Sequence, residues 1–127
     1  MSKRNKIIYW VATIWLSLGM VSTGLVQLLR VKEEADMFAR LGYPDYLMIM
    51  LGVWKMLGVI AVLVPRFPLV KEWAYAGFFF AMSGAALSHI INGDEAKELF
   101  GPMLLLILTV VSWYFRPAER KLVVTNP

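Results

Sequence analysis

The chain has 127 residues, 59% hydrophobic and 17% charged, with a net charge of +4 and a mean hydropathy of +0.62. Average soluble domains are about 45–50% apolar and about 25% charged, so the composition excludes an ordinary soluble domain and points to a membrane protein. There is no cysteine and one histidine, which excludes disulfides and thiol chemistry and argues against a metal or haem site.

Met1 to Lys6 is a short basic leader, and Ile7–Leu29 is an apolar run. A cleaved signal peptide has an apolar core of roughly 7–15 residues and a small-x-small exit. This run is longer, and it ends on Val26-Gln27-Leu28-Leu29. It is expected to be a retained first span over 7–29. Arg30 to Asp45 is charged, with Met37, Phe38 and Leu41 on the apolar side of a short interfacial helix. Leu41-Gly42-Tyr43-Pro44 breaks that helix, because proline cannot continue it and glycine permits a turn.

The second span, 46–64, carries the most informative stretch, Gly52-Val53-Trp54-Lys55-Met56-Leu57-Gly58. About 20 helical residues cross a bilayer core of roughly 30 Å, so Lys55 would sit near the midplane. A central lysine costs roughly 2.5–3.5 kcal/mol on insertion scales, and the Leu, Ile and Val residues around it return about 3–6 kcal/mol. The segment can insert, and it carries a buried amine. Such a group faces an interior, a cavity or a partner.

Pro65-Arg66-Phe67-Pro68 is a tight loop closed by Lys71 and Glu72. The third span is expected over 73–91, stopped by Asn92-Gly93-Asp94. After a short acidic loop the fourth span covers 101–115, with Pro102 in its first turn. The tail to Pro127 is expected outside the membrane. Lys and Arg counts favour the side that carries both termini and the Pro65–Glu72 loop, which predicts cytoplasmic termini. The basic residues at the two ends read as membrane anchoring, and no nucleic-acid partner is expected.

Small and polar residues at helical spacing mark packing seams, because lipid-facing surfaces have no reason to be polar. The seams run through Thr13, Ser17, Met20, Gly24 and Gln27 in span one, and Gly52, Lys55 and Gly58 in span two. In span three the seam is Gly77, Ala81, Gly84 and Ser88, and in span four Pro102, Leu105, Thr109, Ser112 and Arg116. One seam per helix predicts an all-α membrane protein, a left-handed four-helix bundle forming one transmembrane domain over 1–127. Gly19 lies off the seams and leaves a homo-oligomer open.

No Asp or Glu lies within a span to pair with Lys55. Three arrangements answer this: hydroxyls and amides such as Ser22, Thr23, Gln27, Ser83 and Ser88; a wet cavity leading to Glu33, Glu34, Asp36 or Asp94; or a neutral amine. A purely structural lysine that only locks helix packing is the competing reading. His89 reads first as a hydrogen-bonded interface residue, with a role in proton handling left open. Lys55, His89 and Gln27 outline a pocket opening outward, with Met48, Trp54, Phe78 and Met82 as apolar walls. That lining suits a lipophilic ligand with a polar head.

Taken together, Phe38-Ala39-Arg40-Leu41-Gly42-Tyr43-Pro44, Leu51-Gly52-Val53-Trp54-Lys55-Met56-Leu57-Gly58, Pro65-Arg66-Phe67-Pro68, Lys71-Glu72-Trp73-Ala74-Tyr75-Ala76-Gly77-Phe78, Ser88-His89 and Arg116-Pro117 resemble the DoxX-like family. The resemblance runs in order over nearly the whole chain and implies a small four-span membrane protein. The family is named after a membrane subunit of a thiosulfate:quinone oxidoreductase, and more distant relatives act as assembly helpers. It implies no transferable catalytic residues.

The expectation is an inner-membrane accessory or ligand-binding subunit that holds a quinone or lipid near Lys55, with His89, Gln27, Ser88 and Trp54 around it. The alternative is an interaction or assembly-helper protein that docks a membrane partner through its loops. A transporter ranks third, since the spans hold no midplane acid for ion coupling.

Overall fold

A computed structural model describes residues 2–117 and 120–121. The expected tail beyond Lys121 lies outside the described residues. Those that are described fold into five helices: α1 (Lys3–Leu28), α2 (Lys32–Arg40), α3 (Asp45–Leu63), α4 (Pro68–Asn92) and α5 (Ala96–Tyr114). All but α2 are long and apolar enough to cross a membrane. At 1.5 Å per residue the 19 residues of α3 span about 28 Å, close to one bilayer core.

Each helix begins and ends for a local reason. Ser2 caps α1 by accepting from the Asn5 N–H at 3.1 Å. Helix α2 carries Glu33 and Glu34 in its first turn and Arg40 in its last, both favourable to the helix dipole. Gly42 (φ 83°) and Gly93 (φ 76°) take the left-handed conformation just past α2 and α4, where a side chain would be strained. Helix α4 starts earlier than the hydrophobicity suggests, at Pro68, which needs no backbone donor in the first turn. Pro102 is not at the start of α5 but inside it, because the acidic loop residues from Ala96 onward are already helical.

The long helices form a ring in which α1 packs on α3 and α5, and α4 packs on the same two. Neighbours run antiparallel: Thr13 meets Ser112 while Gly19 meets Leu105, and Lys71 meets Ala61 while Phe78 meets Gly58. Leu16, Met20, Val59, Val62, Phe78, Met82, Leu105 and others fill the core. Outward faces are apolar, with Ile14, Leu18, Leu57, Phe80 and Ile107 exposed, as a helix in lipid requires.

Close approach between α1 and α3 depends on two glycines. A Cβ on Gly52 would stand 3.0 Å from the Gly24 carbonyl oxygen and 2.8 Å from Leu28. Gly58 likewise receives the Phe78 ring, 2.5 Å from where its Cβ would be. Gly19 is not left over for a second copy: it accommodates Leu105 of α5 at 2.5 Å. The α4 seam also differs from the spacing of small residues. Helix α4 buries Lys71, Tyr75, Phe78, Met82, Ala86 and His89, whereas Gly77 and Gly84 have nothing within 4 Å of a Cβ position. Bulky side chains, not small ones, fill the wider gaps on that helix.

Buried polar groups meet partners in two clusters. Near the C-terminal end of α5, Ser112 joins Thr13 at 2.6 Å and Tyr75 at 2.7 Å, tying α1, α4 and α5. At the end holding the α3–α4 loop, Lys71 is 1% exposed and is not a loop charge. Its ammonium donates to the Ala61 carbonyl at 2.8 Å and to that of Val64. Arg120, expected in a polar tail, is buried too and donates to Val62 at 2.8 Å and Leu63 at 3.3 Å. Its guanidinium also lies 5.0 Å from the Trp10 ring centre. Two cations therefore satisfy the bare carbonyls that end α3.

Candidate functional site

The other end of the bundle is hollow. A cavity of about 380 Å³ lies beneath α2, and all five helices contribute to its lining. Helix α1 supplies Thr23 and Gln27, four residues apart and so on one face. Helix α3 supplies Lys55, α4 supplies His89, and α5 supplies Glu98 and Pro102. Met37, Phe38 and Leu41 of α2 form an apolar roof, with Phe38 fully packed. The amphipathic segment between the first two spans thus turns its apolar side onto the bundle.

Lys55 is 6% exposed, and its ammonium donates to Thr23 Oγ1 at 3.2 Å. That hydroxyl in turn donates to the Met20 carbonyl at 3.3 Å. An ammonium has three donors, so a single hydroxyl partner leaves capacity for an incoming acceptor. Gln27 donates from Nε2 to Glu34 of α2 at 3.3 Å, while its buried Oε1 has no partner among the described residues. An unpartnered buried carbonyl is costly and is what a ligand or water would satisfy.

His89 Nδ1 stands 2.6 Å from Asp94 Oδ2, just past the end of α4. Asn92 donates to the other Asp94 oxygen at 2.9 Å, and Arg40 of α2 lies 3.7 Å away. The hydrogen bond from His89, foremost among these, holds the Asp94 carboxyl below its ordinary value. With Nδ1 turned to Asp94, Nε2 is the ring nitrogen left for another partner. Tyr43 bonds to Ser88, which donates to the Gly84 carbonyl at 2.8 Å, so the α2–α3 turn is tied to α4.

Of the residues singled out from sequence, Lys55, Gln27 and His89 share this cavity, and Met82 belongs to its wall. Ser88 acts on it through Tyr43. Trp54 does not join them: it is 56% exposed on a groove outside the bundle between α3 and α4. Ser22 is exposed and Thr23, the next residue, is the one that meets the amine. Glu34 is the one of the four carboxylates offered to a wet cavity around Lys55, with Glu33, Asp36 and Asp94, that lines it, whereas Tyr43 and Glu98 carry no sequence signal that would point inward. Among the described residues, no group of three or more His, Cys, Asp or Glu is placed to hold a metal.

A hollow of about 420 Å³ between α4 and α5 has a single charged side chain, Glu72. That carboxylate is already held by Arg116 at 2.9 Å and Trp113 at 2.9 Å. The roofed cavity is where Lys55, Gln27 and His89 converge, with spare bonding capacity at the Lys55 ammonium and at Gln27 Oε1.

Compared with known proteins, the chain matches the family model described as the DoxX-like family over residues 11–112. No curated protein and no solved structure matches it.

Proposed function

The chain belongs to the DoxX-like family, and from that premise we propose that this integral membrane protein binds a lipophilic molecule with an oxygen-bearing head, of the quinone type, in the cavity under α2. The observation that carries the reading is the convergence of Lys55, Gln27 and His89 on one cavity, with Thr23 the amine's one hydrogen-bond partner among the described residues. In this role Lys55 donates to a carbonyl oxygen of the head, and Thr23 holds the amine in place. The Gln27 side-chain oxygen accepts from a hydroxyl. The His89–Asp94 pair at the cavity edge gives a proton a route toward water. The protein would serve as an accessory or ligand-holding subunit.

The basic end with Lys3, Arg4, Lys6 and Arg66 faces the cytoplasm in this proposal, so that α2 roofs the outer side of the inner membrane. The test is mass spectrometry of small molecules retained by the protein purified in mild detergent, comparing the native chain with Lys55→Met. A defined quinone or lipid held by the native chain and lost from the variant supports the reading. Identical bulk-lipid profiles would sink it.

A further inference from the structure

The lipid-facing side of the α3–α4 pair has a groove of about 530 Å³. Trp54, Leu57, Val70 and Trp73 form its rims, and Phe78 and Gly77 are among its floor residues. Among the described residues, Lys55 is its only charged side chain. Leu51, Lys55 and Ala81 line both this groove and the cavity under α2. Three side chains therefore separate a compartment open to lipid from one lined with polar groups.

Size and charge say what fits. A volume of about 380 Å³ is near the lower end of the roughly 300–1,000 Å³ typical of ligand pockets, enough for a ring-sized head but not for a long tail. The cavity sets one ammonium, Lys55, among the carboxylates of Glu34 and Glu98, while His89 and Arg40 are engaged by Asp94. A phosphate would meet those two carboxylates, whereas an uncharged carbonyl head would not. The groove has the complementary character, apolar and open along its length to the bilayer. Gly77 contributes to this opening, since no atom lies within 4 Å of where its Cβ would stand.

We infer that the ligand is a single-tailed, uncharged quinone-type lipid that enters sideways between α3 and α4, leaving its hydrocarbon tail in the groove while its head passes Leu51, Lys55 and Ala81 into the cavity. This rests on the binding reading above and adds the route, the tail and the neutrality of the head. Lys55 then stands at the junction of head and tail.

The test uses the full chain in nanodiscs with two fully substituted probes, duroquinone and decyl-trimethylbenzoquinone, so that no ring carbon is open to attack by the amine. Empty nanodiscs and Lys55→Met correct for partitioning into lipid. The native chain should bind the tailed probe roughly ten-fold or more tightly than duroquinone, as burial of several methylenes implies. Gly77→Leu, which fills the groove without meeting another atom at Cβ, should remove that preference and leave duroquinone binding unchanged. Gly77→Ala should have a smaller effect in the same direction. If Gly77→Leu keeps the native preference, or the native chain shows none, the tail does not lie in the groove, although the head site stands. Displacement of the tailed probe by an equal concentration of phosphatidylglycerol would overturn the choice of an uncharged head. Absence of any Lys55-dependent binding of either probe would overturn the underlying reading as well.

Discussion

His89 Nδ1 and Asp94 Oδ2 lie 2.6 Å apart across the left-handed turn at Gly93, joining the last turn of α4 to the loop that follows it. Asp94 is held below its ordinary value of 3.8, chiefly by this bond. A carboxylate depressed in the folded state contributes stability that is complete above its unfolded value and is lost as pH falls through the folded one. The native protein should therefore lose thermal stability in detergent as pH drops below about 4. Asp94→Asn should be less stable at pH 7 and should lose less on acidification. Equal acid sensitivity in both would show that the pair contributes nothing.

Lys71 offers a second measurement. Its removal as Lys71→Met leaves the Ala61 carbonyl without its side-chain donor at the end of α3. The expected loss is about 1–3 kcal/mol of stability, the usual penalty for an unsatisfied buried group. Lys3→Met, at an exposed site, should leave the unfolding curve unchanged.

Glycines on the two sides of the bundle should respond in opposite ways. Gly52→Ala places a methyl 2.8 Å from Leu28 and 3.0 Å from the Gly24 carbonyl, which forces α1 and α3 apart. Overpacking of this kind costs about 1–3 kcal/mol. Gly84→Ala meets nothing within 4 Å and should be neutral or stabilising by up to about 1 kcal/mol through helix propensity. Melting temperatures of the two variants, compared side by side, give the sign directly.

The hydroxyl cluster around Ser112 gives a fourth. Ser112→Ala deprives both Thr13 and Tyr75 of a buried partner, whereas Thr13→Val removes only one of the two bonds. The serine variant should be the more destabilised, by about 1–3 kcal/mol relative to the native chain. Equal melting points for the two variants would mean that Ser112 is not the shared partner.

The span pattern was legible because transfer to lipid is written residue by residue in the sequence. The Lys55 neighbourhood was legible for the same reason: a charge in an apolar run must face inward, and Gly52 and Gln27 mark the faces that meet there. The α4 face is the exception, because its small residues do not form the contact surface. The alternating steps of four and three from Lys71 through Tyr75, Phe78 and Met82 carry the buried stripe instead. That stripe would have revealed Lys71 as an interior group rather than a loop charge. Arg120 left no such trace, since its partners are backbone carbonyls 56 to 58 positions away. Nor did Tyr43, which reaches the cavity only because the Gly42 turn folds α2 back over it, while Glu34 is one of the carboxylates offered to Lys55.

The cap on α3 has a consequence for the order of biogenesis. Arg120 follows Leu63 by 57 positions, and α4 and α5 lie between them. During synthesis the end of α3 must wait, hydrated at the membrane edge, until two further helices have been threaded through the bilayer. Only then can Arg120 arrive, slot beside Trp10 and seal that end. Assembly of this face is therefore a late, chain-closing event, while α1 and α3 can already dock through Gly24 and Gly52.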